Sequence, residues 1–112
     1  VETIYLDIIP SGVNPSCNVS QDDEGRVIRI YLLESGDPYE LSGSETLTLH
    51  VEKPDGDFIE AELINGGGSF IDFTVDSEIT DKSGKCYCKI NIEDGDIKIG
   101  SSGFYIVVEK KP

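Results

Sequence analysis

Along most of the chain apolar and polar residues alternate one for one, the period of a strand that buries one face and wets the other. Glu45 to Lys53 is the clearest run, with Leu47, Leu49 and Val51 on one side and Thr46, Thr48, His50 and Glu52 on the other. From Arg26 to Leu33 the same rule sends Ile28, Ile30 and Leu32 inward and leaves Arg29 and Tyr31 facing out. Ile4, Leu6 and Ile8 repeat the pattern early, followed by Ile59, Ala61 and Leu63, then by Ile71, Phe73 and Val75. Cys86, Cys88, Ile90 and Ile92 share a late face, and Phe104, Ile106 and Val108 share another.

Between these runs lie Gly36-Asp37-Pro38, Pro54-Asp55-Gly56-Asp57, Asn65-Gly66-Gly67-Gly68 and Asp94-Gly95-Asp96. Such residues tolerate positive φ or preset a turn, so each stretch is expected to close a hairpin. Only Ser77 to Lys82 reads as helical, a single turn capped by Asp76 or Ser77, anchored by Ile79 and ended by Gly84. The expectation is an all-β fold, an antiparallel sandwich of about seven or eight strands, with a barrel as the alternative. No internal repeat, low-complexity tract or linker interrupts it.

A chain of 112 residues suits one core, and residues 1–112 are expected to form a single sandwich domain. The opening Val-Glu-Thr-Ile carries neither an initiator Met nor the charged and apolar regions of a signal peptide. The chain is therefore expected to be a fragment of a longer protein. No apolar run approaches the roughly 18 residues of a spanning helix. Acidic residues outnumber basic ones 22 to 9, a net charge of -13. That balance repels phosphate backbones and anionic lipid, so neither nucleic acid nor membrane is expected as a partner. It also favours basic partner patches and discourages self-association, so the isolated fragment is expected to be a monomer.

Candidate chemistry is sparse. Cys86 and Cys88 fall on the same face of one strand, about 6.6 Å apart from strand rise, with side chains too nearly parallel to join. Cys17 is free to pair with either, but an odd total of three favours buried free thiols and a reducing assembly compartment. One His and a remote third Cys do not complete a zinc set. The sole histidine, His50, is out of phase with Leu49 and Val51 and so faces away from the thiols, which argues against a Cys-His or Ser-His-Asp centre. Acidic loops at Asp22-Asp23-Glu24, Asp55-Gly56-Asp57 and Asp94-Gly95-Asp96 offer oxygen ligands for calcium but lack EF-hand spacing and read equally as turns. No catalytic residue, metal or cofactor is assigned, and the chain is not expected to be an enzyme. Tyr31, Tyr87 and Tyr105 fall on outward positions of three strands and are the candidate partner-contact residues, with Tyr5 as a fourth. If their strands share a sheet, the rings form one exposed aromatic stripe suited to a protein partner or a sugar face.

Finer markers of the immunoglobulin sandwich are met in part. There is no Trp, and in Gly84-Lys85-Cys86-Tyr87-Cys88 a cysteine stands where the corner tyrosine belongs. An immunoglobulin-like arrangement is expected, without the details of an antibody domain.

Read in order, a series of phrases resembles the N-terminal domain family of the phage baseplate upper protein. They are Leu6-Asp7-Ile8, Val19-Ser20-Gln21-Asp22, Gly25-Arg26 with its strand, Pro38-Tyr39-Glu40-Leu41-Ser42-Gly43, Lys53-Pro54-Asp55-Gly56, Ile79-Thr80 with Gly84-Lys85, and Phe104 to Lys110. The resemblance implies a structural, non-enzymatic domain of the tail-tip baseplate of phages infecting Gram-positive hosts, assembled in the bacterial cytoplasm and resident in the virion. Its implied partners are other baseplate subunits: the tail hub protein and, through downstream regions, the receptor-binding protein of the host-adhesion apparatus. The resemblance further implies that residues 1–112 are the N-terminal fragment of a longer chain, that the full-length protein is a trimer, and that its source is a phage or a prophage in a bacterial genome. The alternative is a carbohydrate-binding or cell-surface adhesion sandwich, drawn from the tyrosines and acidic loops.

Overall fold

Alternation sorts the described residues into ten strands and one helical turn. In the computed structural model, which describes residues 2–9, 14–101 and 103–111, these are β1 (Glu2–Asp7), β2 (Ser16–Ser20), β3 (Val27–Glu34), β4 (Asp37–Pro38), β5 (Thr46–Glu52), β6 (Phe58–Leu63), β7 (Phe70–Thr74), α1 (Ser77–Thr80), β8 (Gly84–Asp94), β9 (Ile97–Gly100) and β10 (Phe104–Glu109). They form two sheets packed face to face, an all-β sandwich.

The narrow sheet is built around β3. β1 lines one edge, while β7 and then β4 share the other, so the sheet is three strands wide. The broad sheet runs β2-β10-β8-β5-β6, with β9 continuing the β10 position along the far half of β8. Between β9 and β10, buried Ser101 keeps the ladder unbroken: its N–H donates to the Ile90 carbonyl (2.8 Å) and its Oγ accepts the Ile90 N–H (2.9 Å).

The inward residues are those the alternation picked out. Ile4, Leu6, Ile28, Ile30, Leu32, Ile71 and Phe73 from the narrow sheet meet Leu47, Leu49, Val51, Cys86, Cys88, Ile90, Ile92, Phe104, Ile106 and Val108 from the broad one, all buried. Each such aliphatic side chain withdrawn from water contributes on the order of 1.5–3 kcal/mol.

One end of the sandwich is closed by polar locks. Lys53 lays its stem over the core and its Nζ pairs with Asp81, which raises the lysine pKa and lowers that of the aspartate. Asp76 caps α1 by accepting the Glu78 N–H (3.0 Å). The turn stops at Thr80, short of the expected Lys82, because the β2–β3 loop takes over its end: Asp22 N–H donates to the Thr80 carbonyl (2.9 Å), Gln21 Nε2 to the Asp81 carbonyl (3.0 Å), and Thr80 Oγ1 to the Asp23 carbonyl (2.8 Å).

Three expectations are corrected. Ten strands replace seven or eight, because β2, β4 and β9 are short and carry too few apolar residues to stand out. The sandwich is not wholly antiparallel: β1 runs parallel to β3, and β2 parallel to β10. Alternation sorts faces but is blind to the direction of a neighbour, and here the first two strands lie in different sheets beside strands from later in the chain. Asn65 to Gly68 does not close a hairpin but carries the chain from β6 in the broad sheet to β7 in the narrow one. The other three turns do join antiparallel neighbours, and Ser35 and Gly36, with φ of 50° and 90°, form the tight β3–β4 connection.

The crossing loops are tied together by Glu45. Its carboxylate accepts from the Ser42 N–H (3.0 Å), the Gly43 N–H (3.1 Å), Ser42 Oγ (3.0 Å) and Asn65 Nδ2 (3.0 Å), while Leu41 and Gly68 exchange backbone bonds alongside. The Ser42 amide, foremost among these donors, holds the Glu45 pKa down from an ordinary 4.5 to about 2. Glu45→Gln is expected to lower stability at pH 7 by about 1 kcal/mol. A depressed carboxylate stabilises above its unfolded pKa and loses that effect as pH falls through the folded one. Urea midpoints of the two proteins should therefore differ at neutral pH and converge as the pH drops from 4.5 toward 2.

Candidate functional surface

Both outer faces of the sandwich carry aromatic groups, and they are separate. On the narrow sheet Tyr5, Tyr31 and Phe70 stand in direct cross-strand register on β1, β3 and β7. Tyr5 and Tyr31 stack at 5.2 Å between centroids with planes 16° apart, and Phe70 tilts against Tyr31 at 5.8 Å. The Arg29 guanidinium lies 4.3 Å from the Phe70 centroid and is held by Asp72 through two bonds of 2.8 and 3.0 Å. That fork lowers the Asp72 pKa and raises that of Arg29.

Tyr87 and Tyr105 pair on β8 and β10 of the broad sheet, 5.4 Å apart, with Lys85 Nζ 5.6 Å from the Tyr105 ring. The structure thus brings Tyr31 together with Tyr5, and Tyr87 together with Tyr105, but sets the two pairs on opposite sides of the sandwich. One continuous stripe through Tyr31, Tyr87 and Tyr105 does not form, because β3 belongs to the narrow sheet. Phe70 directly follows a glycine-rich loop, so the sequence pattern alone does not single it out; its register with Tyr31 does.

Neither aromatic group is a flat platform. Tyr5 and Tyr31 stack face to face, so the row turns ring edges outward and leaves little ring face for a sugar to lie on. Tyr87 folds over Gly103, where a Cβ would overlap its ring and hydroxyl.

The remaining candidates are apart from one another. Cys17, Cys86 and Cys88 are buried and free. Cys17 and Cys86 both register with Ile106, one on either side of it, so β10 separates them by two strand spacings, about 10 Å, which is beyond disulfide reach. Burial pushes the Cys17 thiol up to about 11 and raises the other two, so none is a ready nucleophile. His50 lies on the opposite, outer face of its sheet, with Nδ1 3.2 Å from Glu60 and Nε2 2.9 Å from Asn91 Nδ2. The acidic loops work locally: Asp23 accepts from the Ser20 N–H (2.9 Å) and Arg26 Nε (2.7 Å), and Asp55 from the Asp57 N–H (3.1 Å). Among the described residues no three His, Cys, Asp or Glu side chains gather as a metal site, and no helix is long and apolar enough to cross a membrane.

Gly103→Ala should displace the Tyr87 ring and cost roughly 1–3 kcal/mol. In a Tyr87→Ala background the same change should cost much less, a coupling that a double-mutant cycle of denaturation midpoints would measure.

Comparison with known proteins gives a fold match. No protein-family model matches the chain, and no curated protein matches it by sequence. Among solved structures it is similar to the N-terminal domain of phage TP901-1 ORF48, at a TM-score of 0.68 and 14% identity, over 97% of this chain and 98% of that one. At that identity the likeness establishes a shared all-β fold from end to end.

Proposed function

We propose that this chain is a structural domain of a phage tail, a component of the tail-tip baseplate that docks the host-adhesion apparatus onto the tail hub. The observation that carries the reading is the end-to-end likeness to a domain of a phage protein, with almost nothing left over on either chain. The ordered series of phrases from Leu6-Asp7-Ile8 to Phe104-Lys110, which resembles the baseplate upper protein N-terminal domain family, points the same way.

The proposed mechanism is contact between rigid surfaces, without catalysis. A sandwich that buries its thiols and turns its one histidine outward offers faces and strand edges as its working parts. A net charge of -13 speeds encounter with basic surfaces on neighbouring subunits. The proposed partners are the tail hub and, through regions downstream, the receptor-binding protein, with a trimeric full-length assembly and a virion location. The sugar-binding alternative draws on the Tyr5-Tyr31-Phe70 row, but edge-on stacking is poor support for it.

Particles purified from the source genome should contain the protein by mass spectrometry, and antibody against the folded domain should mark the tail tip in electron micrographs. Label on the capsid, or particles with complete tails that lack the chain, would refute the assignment.

A further inference from the structure

The two sheets differ in width, and the difference is taken up on one side. β1 and β2 lie beside each other and close one flank. On the other flank β6 is the last strand of the broad sheet, while the narrow sheet ends with β7. The inward apolar residues of the other long edge strands are buried: Ile4 and Leu6 on β1, Cys17 and Val19 on β2, Ile71 and Phe73 on β7. On β6 only Leu63 is, and Ile59 and Ala61 remain half-exposed. Phe58 and Ile64, at the two ends of the strand, are 76% and 86% exposed.

The backbone of β6 is open as well. In the hairpin the Lys53 N–H donates to the Asp57 carbonyl (2.8 Å), which sets the alternation of the antiparallel ladder. Ile59, Ala61 and Leu63 then exchange bonds with β5, and the N–H and C=O groups of Phe58, Glu60 and Glu62 point away from the sheet. The strand has no proline, no lysine and no bulge to blunt it. Its only guards are Glu60 and Glu62, with Glu52, Asp55 and Asp57 at the turn end. Self-pairing is disfavoured, since a twofold pairing about Ala61 sets Glu60 of each copy against Glu62 of the other.

We propose that β6 is a docking edge for an extended segment of a partner, one in which apolar residues alternate with Lys or Arg. The apolar side chains would cover Ile59 and Ala61, and the basic ones would lie across from Glu60 and Glu62 on the outer face. The inference deepens the docking role proposed above and rests on it only for the partner's identity, because peptide binding and tail location fail independently.

The probe is a blocked ten-residue peptide alternating valine with lysine, titrated into the intact protein. Saturable binding is expected, about tenfold or more tighter than to a peptide with the same residues grouped into a valine block and a lysine block; equal binding of the two would overturn the proposal as mere charge attraction. Glu60→Pro removes an outward N–H without touching the β5 ladder, so it should weaken binding at least about tenfold, and unchanged affinity would overturn the proposal. Should that variant fail to fold, Glu60→Lys with Glu62→Lys serves instead: it should lose the lysine peptide and gain a valine–glutamate one. Retained preference for lysine would likewise refute the edge.

Discussion

Every strand here must hide one face, and the whole architecture follows from pressing two sheets of unequal width together to do so. Five strands cannot be roofed by three. β3, β5, β8 and β10 sit where both sheets cover them and bury their inward residues almost completely, whereas β6 hangs beyond the edge of the narrow sheet. Cys17, Cys86 and Cys88 are buried in that interior, and His50 is turned to the opposite face of its sheet. Outside it lie the two outer faces and, along β6, a rim that is only partly covered.

The polar groups stitch the ends of this interior rather than compete with it. Asp7 accepts the backbone N–H groups of Ile9, Ser35 and Gly36, binding the end of β1 to the β3–β4 turn, and its pKa falls accordingly. Lys53, Asp81, Thr80 and the β2–β3 loop do the same at the other end, and Glu45 with Asn65 holds the crossing loops. The Asp7 and Glu45 bonds are charge-assisted and fix loop backbone at the exposed ends of the sandwich.

That division explains what could be read in advance. Inward and outward residues of the long strands were legible because a period of two survives any topology. Strand direction was not, since β1 and β2 acquire parallel neighbours only through the path of the folded chain. The aromatic surface was half legible: Tyr5, Tyr31, Tyr87 and Tyr105 do point outward, but which of them meet depends on sheet membership, and Phe70 became visible only through its register. The phrases that resemble the baseplate family turn out to sit largely at the stitches. Asp7, Leu41 to Gly43, Lys53 to Gly56 and Ile79-Thr80 are turn, lock and core positions, and Pro54 rests against Gly84, where a Cβ would come within 2.9 Å of its ring. Such residues report a fold, which is also what the match to the phage domain shows, and they single out no face of the sandwich.

The central physical claim is that β6 is a true edge, bonded on one side and open on the other. Native-state amide hydrogen exchange of the free protein tests it residue by residue. The account predicts slow exchange for Ile59, Ala61 and Leu63 and near-unhindered exchange for Phe58, Glu60 and Glu62, with the slowest amides of all in central β8. Uniform protection along β6, or the opposite alternation, would contradict it.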